Sequence, residues 1–465
     1  MKSSPNLGGG FHISYCEKQN NYNTGMNRSL WRGQAPINLR KSVTSNNALD
    51  IAIIGGGFSG LWSAYHLKQI QPSLKIAIFE QNYVGFGASG RNGGWASAEY
   101  PTSNTRVIKE HGLRVYQNLR SALTQSIDEI GQIAQSNKWQ IEYAKGGALV
   151  FATNEAQLTR ISTEVNDEHN FLNQSQASEL LNIAGIKGGI FTPHCAALNP
   201  FKLTQELARH LESVGVEIFE NSKVEQITNK QILVNGYAIK CDTSIRATEA
   251  FTARKWIANQ QIPIYSLMVA TKPLSADILS QIRNSQRATF QEACHLITYA
   301  QITGDNRLAI GGRGVRYKLF SRLSDRSEVD NRMHNALQRR ALKWFPQLHG
   351  TKFEYRWGGP VALTRRWQCY LNYDQSTGRA ALGGYVGDGV TLSYLVAKNL
   401  ALKINNIKTS DLPFINQKIG RWEPEPIRYF AVNAGFKATV AADLEEKLTK
   451  RPSLIAALVD PLINR

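Results

Sequence analysis

The chain has 465 residues, 42% of them hydrophobic, and 54 Lys and Arg against 36 Asp and Glu give a formal charge of +18. That length exceeds one ordinary core and predicts two domains, while no apolar run approaches the ~20 residues needed to cross a bilayer. The basic residues are dispersed, so they read first as solvated surface, next as attraction for an anionic small molecule, and last as an RNA interface; no nucleic acid is expected.

Residues 1–47 are rich in Asn, Ser, Gly and basic side chains without periodicity, and read as an arm over a domain or a partly disordered segment. No apolar stretch near the start resembles a secretory signal. Cys16, Cys195, Cys241, Cys294 and Cys369 are scattered and never form a CxxC pair. They are expected to be reduced thiols in a cytoplasmic protein with no metal site.

From Leu49 the pattern sharpens. "LDIAIIG" predicts a buried parallel strand, 58–70 a helix, and "LKIAIFE" (74–80) a second strand. Between the first strand and the helix, Gly55-Gly56-Gly57-Phe58-Ser59-Gly60 fits GxGxxG. In that pattern Gly55 permits the tight turn, Gly57 lets a pyrophosphate reach the backbone, and Gly60 lets the helix lie close to the sheet. The helix N-terminus then offers N–H groups and partial positive charge to phosphates. Glu80 closes the second strand twenty residues after Gly60. An acid there accepts from both ribose hydroxyls and disfavours a 2′-phosphate.

The stretch "GFGASGRNGGW" (85–95) sets five glycines around Arg91-Asn92. Glycine-rich chain can be a connector or a cradle. Its emergence beside the ribose position, at the carboxyl edge of the sheet, favours the cradle. Further on, 103–136 predicts a helix, 146–153 a strand and 201–214 a helix, followed by strands "VEIFEN" and "KVEQI". Asn235-Gly236 marks a hairpin between "QILV" and "YAIKC", and 243–248 predicts a strand returning to the first sheet. Segments 262–274, 294–302 and 307–313 predict a mostly antiparallel second sheet, with a helix at 328–344. "RAALGGYVGDGV" (379–390) predicts strand, turn and helix, and 436–460 an amphipathic helix. The helix after "GDG" carries Leu392, Leu395, Val396 and Leu400 on one face, with Asp388 as a helix-start acid.

"DIAIIGGGFSGLWSAYHL", "FEQNYVGFGASGRNGGW", "NRLAIGGRG", "GGYVGDGV" and "RWEPEPIRYFAVNAG" together resemble the FAD-dependent D-amino-acid-oxidase superfamily over roughly residues 30–440. The pattern is most like the gamma-glutamylputrescine oxidase and aminophosphonate oxidoreductase branch. The resemblance implies an α/β fold. A Rossmann-like FAD-binding domain would be built from discontinuous segments (48–143, 190–260 and 355–435), beside a mostly antiparallel substrate domain (144–189 and 261–354) and a C-terminal helical segment (436–465). It implies FAD gripped at the pyrophosphate by Gly55, Gly57, Phe58, Ser59 and Gly60, and at the ribose by Glu80. Ser89, Arg91, Asn92 and Gly93 would lie against flavin and pyrophosphate, and the backbone of Val224 against adenine. Gly384, Gly387, Gly389 and Val390 would form the second flavin contact, where the helix N-terminus favours negative charge on the ring. No His or Cys stands in the glycine run, so noncovalent binding is expected.

Two departures bear on the chemistry. Sarcosine-oxidase-like relatives carry a lysine for the substrate carboxylate where this chain has Thr391, and an oxygen-assisting lysine where it has Ala309. The electron acceptor is therefore left open between O2 and another carrier. The expected reaction is oxidation of the C–N bond of an amine, neutral or anionic, to an imine, with no obligatory side-chain base. Tyr265, Tyr317, Trp357 and Tyr385 are candidate pocket walls, each weighed against an ordinary core aromatic. Arg313 and Arg365 are candidate clamps for an anionic group, weighed against surface arginines. His66, His194 and Cys195 are assigned no chemistry. A tRNA-modifying flavoprotein and a non-catalytic flavin-binding subunit stay open as alternatives.

Overall fold

A computed structural model describes residues 29–33, 38–166, 168–252 and 260–463. Most of the expected N-terminal arm, with Cys16, lies outside the described residues. Strand β1 (Leu49–Ile54), helix α1 (Phe58–Ile70) and strand β2 (Ile76–Phe79) form the predicted βαβ unit, with β1 and β2 parallel. Ile51, Ile53, Ile76 and Ile78 pack with α1 on one side, while Ala52, Ile54, Ala77 and Phe79 enter a separate cluster on the other. Burial on both faces explains why these strands read as continuous apolar runs rather than alternations.

The first sheet runs in the order Tyr370–Asp374, Arg379–Gly383, Tyr237–Arg246, β1, β2, Glu217–Phe219. Its inner pairs are parallel, and Tyr370–Asp374 adds an antiparallel edge. Sequence reading split 237–248 into two strands, but one strand, Tyr237–Arg246, serves both roles. Its first half forms a hairpin with Gln231–Val234 through Asn235 (φ 48°) and Gly236 (φ 83°), and its second half lies parallel to β1. Two consecutive positive φ values are what a tight hairpin turn requires, and Asn-Gly supplies them at little strain.

The second sheet has eight strands. Phe353–Thr364, Gln261–Thr271, Leu308–Arg313, Thr298–Ile302 and Thr289–Glu292 are followed by Ala148–Ala152, Gly188–Thr192 and Asn170–Asn173. All of its pairs are antiparallel except Thr289–Glu292 with Ala148–Ala152. Phe353–Thr364 pairs along its length with Gln261–Thr271, and Gly188–Thr192 with Ala148–Ala152. Hydrogen bonding thus places 355–364 and 190–192, grouped by sequence with the dinucleotide-binding segments, in this sheet. The interrupted run "RWGGPVALT" hid that long-range pairing. The helix expected at 103–136 is two, Asn104–His111 and Leu113–Ser136, because Gly112 takes φ 87° between them.

A buried carboxylate fastens the helix Asn331–Trp344 to this sheet. Glu292 is 3% exposed and accepts from Trp344 Nε1 at 2.9 Å and Thr153 Oγ1 at 2.8 Å, and it is ion-paired with Arg340. Burial pushes its pKa up, but the guanidinium, indole and hydroxyl outweigh burial and hold it at about 2. A carboxylate depressed in the folded state adds stability above its ordinary value of 4.5 and loses it as pH falls toward about 2. Arg340→Met is expected to cost about 3 kcal/mol in urea unfolding at neutral pH, because it strands a buried charge. The deficit should shrink in acid, where Glu292 protonates in the variant, and an unchanged unfolding midpoint at neutral pH contradicts this account.

Candidate functional site

The carboxyl ends of β1, β2 and Arg379–Gly383 bring three glycine-rich segments to one place. The turn after β1 begins at Gly55 (φ 110°), where a Cβ would lie 2.6 Å from the Ala247 carbonyl oxygen. A Cβ at Gly60 would run into the carbonyl oxygen of Gly55 itself. Both positions require glycine because backbone already fills the space. At Gly57, the residue preceding α1, an added Cβ would lie 2.9 Å from Ser89 Oγ and crowd it. At the end of β2, Glu80 accepts from the N–H groups of Gly56 and Asn82, each at 2.8 Å. Burial pushes its carboxyl up, and the Asn82 and Gly56 N–H groups oppose that shift.

The run 85–95 folds back over the start of α1. Ser89 Oγ accepts from the Phe58 N–H at 2.9 Å. Asn92 stiffens the run from within, donating to the carbonyls of Ala88 and Ser89 and accepting from the Gly94 N–H at 2.7 Å. Arg91 leaves this loop for the second sheet. It donates to Glu328 at 2.8 Å and to the Gly358 carbonyl at 3.1 Å, with its guanidinium 4.6 Å from the Phe86 ring centre. Trp357 Nε1 donates to the Arg91 carbonyl at 2.8 Å, and Trp31 Nε1 to the Asn92 carbonyl at 2.7 Å. Gly93 has no room for a side chain, since a Cβ would lie 2.6 Å from the Tyr299 ring.

The third segment is the turn before α2 (Gly389–Ile404). Glu249 holds it, accepting from the N–H groups of Gly384 at 3.0 Å and Tyr385 at 3.1 Å. Burial pushes the Glu249 carboxyl up to about 7 against the pull of those two amides. The Tyr385 hydroxyl meets Ser59 Oγ at 2.8 Å, tying this turn to α1. Gly387 takes φ 112° beside the Arg313 guanidinium, which donates to the Val386 carbonyl. Val390 is buried in the first turn of α2, and Gly389 abuts the Tyr385 ring. Val224, at the start of its strand, is buried with Phe79 and Phe219 on the far side of the sheet.

The candidate wall residues separate into two groups. Trp357, Tyr385 and Arg313 touch the glycine segments directly. Tyr265 is core, its hydroxyl accepting from the Ser324 N–H at 2.7 Å. Tyr317 is buried, bonded to Ser321 at 2.9 Å and Glu425 at 2.7 Å, although it packs in one cluster with Val386. Arg365 pairs with Glu423 at 2.9 Å and lies over Trp422. Sequence reading missed Glu249, Glu328, Trp31 and Gln301, the last of which donates to the Gly93 carbonyl at 2.6 Å. None of the four stands in a glycine pattern, so no local signal marked them.

These residues suit a bound dinucleotide. Glycines leave the backbone bare at the start of α1, an acid closes β2, and a second helix start faces the same region. Among the described residues, the buried Trp95 Nε1, Gln301 Oε1 and Thr391 Oγ1 beside these segments find no hydrogen-bond partner in the protein. Such atoms are costly to bury unpaired.

Residues 50–402 match the DAO family, described as FAD dependent oxidoreductase. The probable oxidoreductase OrdL of Haemophilus influenzae is 28% identical over 382 residues, covering 77% of this chain and 83% of that protein. Gamma-glutamylputrescine oxidoreductase of Escherichia coli is 28% identical over 379 residues, covering 78% of this chain and 84% of that protein. Among solved structures, glycine oxidase from Geobacillus kaustophilus superposes with a TM-score of 0.65 at 20% identity, over 79% of this chain and 96% of that one.

Gly55→Ala is expected to cut FAD retention at least about tenfold, since the added Cβ strains a positive φ and presses on Ala247. The flavin-to-protein absorbance ratio after purification checks it, and a fully loaded variant contradicts it. Glu249 gives a pH signature. The folded chain keeps that proton between the ordinary value of 4.5 and about 7, where the unfolded chain has lost it. Its contribution is therefore fully present in acid and is lost as pH rises through that window. Glu249→Gln should flatten this part of the melting-temperature profile, and an unaltered slope refutes the assignment.

Proposed function

Since the chain belongs to the DAO family of FAD-dependent oxidoreductases, we propose that it oxidises the C–N bond of a small amine of the gamma-glutamylated or aminophosphonate class to an imine. The observation that carries this reading is the joining of three glycine segments through Phe58–Ser89, Ser59–Tyr385 and Glu249–Gly384. A relative named for gamma-glutamylputrescine supports the substrate class.

Bound FAD supplies the hydride acceptor for such an oxidation. The chain's own residues do the rest. Gly55, Gly57, Phe58, Ser59 and Gly60 would present their backbone to the pyrophosphate, and Glu80 its carboxylate to the ribose. Ser89, Arg91, Asn92 and Gly93, with Gly384, Gly387, Gly389 and Val390, would hold the flavin, and the backbone of Val224 the adenine. The N-terminus of α2 favours negative charge in front of it. Trp357 and Tyr385, both nearly fully buried, make a dry wall that favours the uncharged amine over the ammonium. Arg313, at the rim beside Val386 and Gly387, is the proposed contact for an anionic substrate group. Ala309 packs with Trp31, Met268 and Trp357, so that wall brings no ammonium to assist oxygen. The electron acceptor stays open between O2 and another carrier.

The test is anaerobic mixing of the purified holoenzyme with amines, gamma-glutamylated amines and aminophosphonates. Loss of the oxidised-flavin absorbance with one class identifies it. If none of the panel bleaches the flavin, the amine-oxidation reading is dropped. Arg313→Met should raise KM for an anionic substrate by ~10-fold or more while leaving kcat for a neutral amine little changed.

A further inference from the structure

The C-terminal helices α3 (Ile427–Thr449) and α4 (Leu454–Ile463) have an unusual distribution of apolar residues. On α3, Tyr429, Val432 and Phe436 pack against the protein beneath the flavin-side turn. Yet the opposite side is apolar as well: Phe430, Leu444 and Leu448 are 66%, 56% and 73% exposed. An exposed apolar stripe flanked by cations is the pattern of a helix that lies at a membrane surface. On α4, Leu454 and Leu458 continue the exposed apolar surface. A neighbouring loop at 316–326 adds to it. Phe320 is 54% exposed at φ 59°, a conformation bulky side chains avoid. Glu425, at the foot of α3, fixes it there by accepting from the Phe320 N–H at 3.1 Å and from the Tyr317 hydroxyl.

Charge identifies the occupant. The three acids of α3 are all engaged by the protein. Asp443 accepts from the backbone N–H groups of His295 and Leu296, Glu446 pairs with Arg160 and His295, and Glu445 caps the start of α4 at Ser453 and Leu454. The cations Lys437, Lys447, Lys450 and Arg451 are exposed. In the loop, Arg316, Lys318, Arg322 and Arg326 are exposed against the single acid Asp325. A second copy of the chain would set these like charges against one another, and RNA bases could stack on Phe320 and Phe430 but offer nothing for Leu444, Leu448, Leu454 and Leu458. We propose that the outer face of α3 and α4, with the 316–326 loop, docks this enzyme onto an anionic lipid bilayer surface. The apolar side chains enter the headgroup boundary and the cations meet the lipid phosphates. No helix among the described residues is long and apolar enough to cross a membrane, so the association is interfacial.

The holoenzyme is to be sedimented with phosphatidylcholine vesicles, either alone or containing about one third phosphatidylglycerol. The expected result is partition onto the anionic vesicles, weak retention on the neutral ones, and release as salt shortens the screening length. Phe320→Ser with Phe430→Ser, and separately Leu444→Ser with Leu448→Ser, should each bind at least about tenfold more weakly while keeping flavin content and melting temperature. Lys437→Glu with Lys447→Glu, both on the surface, should abolish the preference for anionic lipid without touching the apolar residues. The proposal is overturned if the holoenzyme stays in solution with anionic vesicles, or if all variants bind like the parent. It is equally overturned if a Leu448→Cys probe cross-links two copies through this face, or if RNA rather than lipid retains the protein.

Discussion

Backbone meeting backbone is the constraint on which the structure turns. The start of α1 can reach Ala247 and its own Gly55 carbonyl only because Gly55 and Gly60 lack side chains. Once that contact forms, the first turn of α1 lies within reach of Ser89 from one loop and Tyr385 from another. Two hydroxyl contacts then join segments far apart in sequence. Neither contributes more than a typical hydrogen bond. Their effect is to fix where bare amides point, which is what an anion-binding edge requires.

The parts legible in the sequence are those whose physics is local. The bounds of α1 match the reading from 58 to 70, and β2 falls within the expected 74–80, because glycine pattern and apolar periodicity act over a few residues. The Asn235-Gly236 turn was equally legible, since its φ values demand those residues. What escaped is nonlocal. Phe353–Thr364 contains two glycines and a proline, and only its pairing with Gln261–Thr271 shows where it belongs. Glu249 reads as one acid among many until the amides of Gly384 and Tyr385 are brought to it. His295 lies inside an expected strand, 294–302, but its N–H goes to Asp443 of α3 and the strand begins at Thr298.

The candidate aromatics show the same limit from another side. Tyr265, Tyr317, Trp357 and Tyr385 are nearly fully buried, so burial alone cannot sort them. Their partners can. Trp357 and Tyr385 spend their polar atoms on the glycine segments, while Tyr265 and Tyr317 spend theirs on Ser324, Ser321 and Glu425. Arg91 belongs with the first pair, because its bond to the Gly358 carbonyl carries the glycine run across to the second sheet.

That crossing has an evolutionary corollary. On the first sheet the proposed grip rests largely on main chain held by Gly55 and Gly60, and exchanging either glycine drives a Cβ into backbone. On the second sheet the proposed lining would be side chains projecting from a ladder such as Gln261–Thr271 with Phe353–Thr364, whose hydrogen bonds are indifferent to what they carry. On the proposed reading, new specificities would arise by swapping the lining, with the Arg91–Gly358 bond keeping the altered wall in register with an inherited grip.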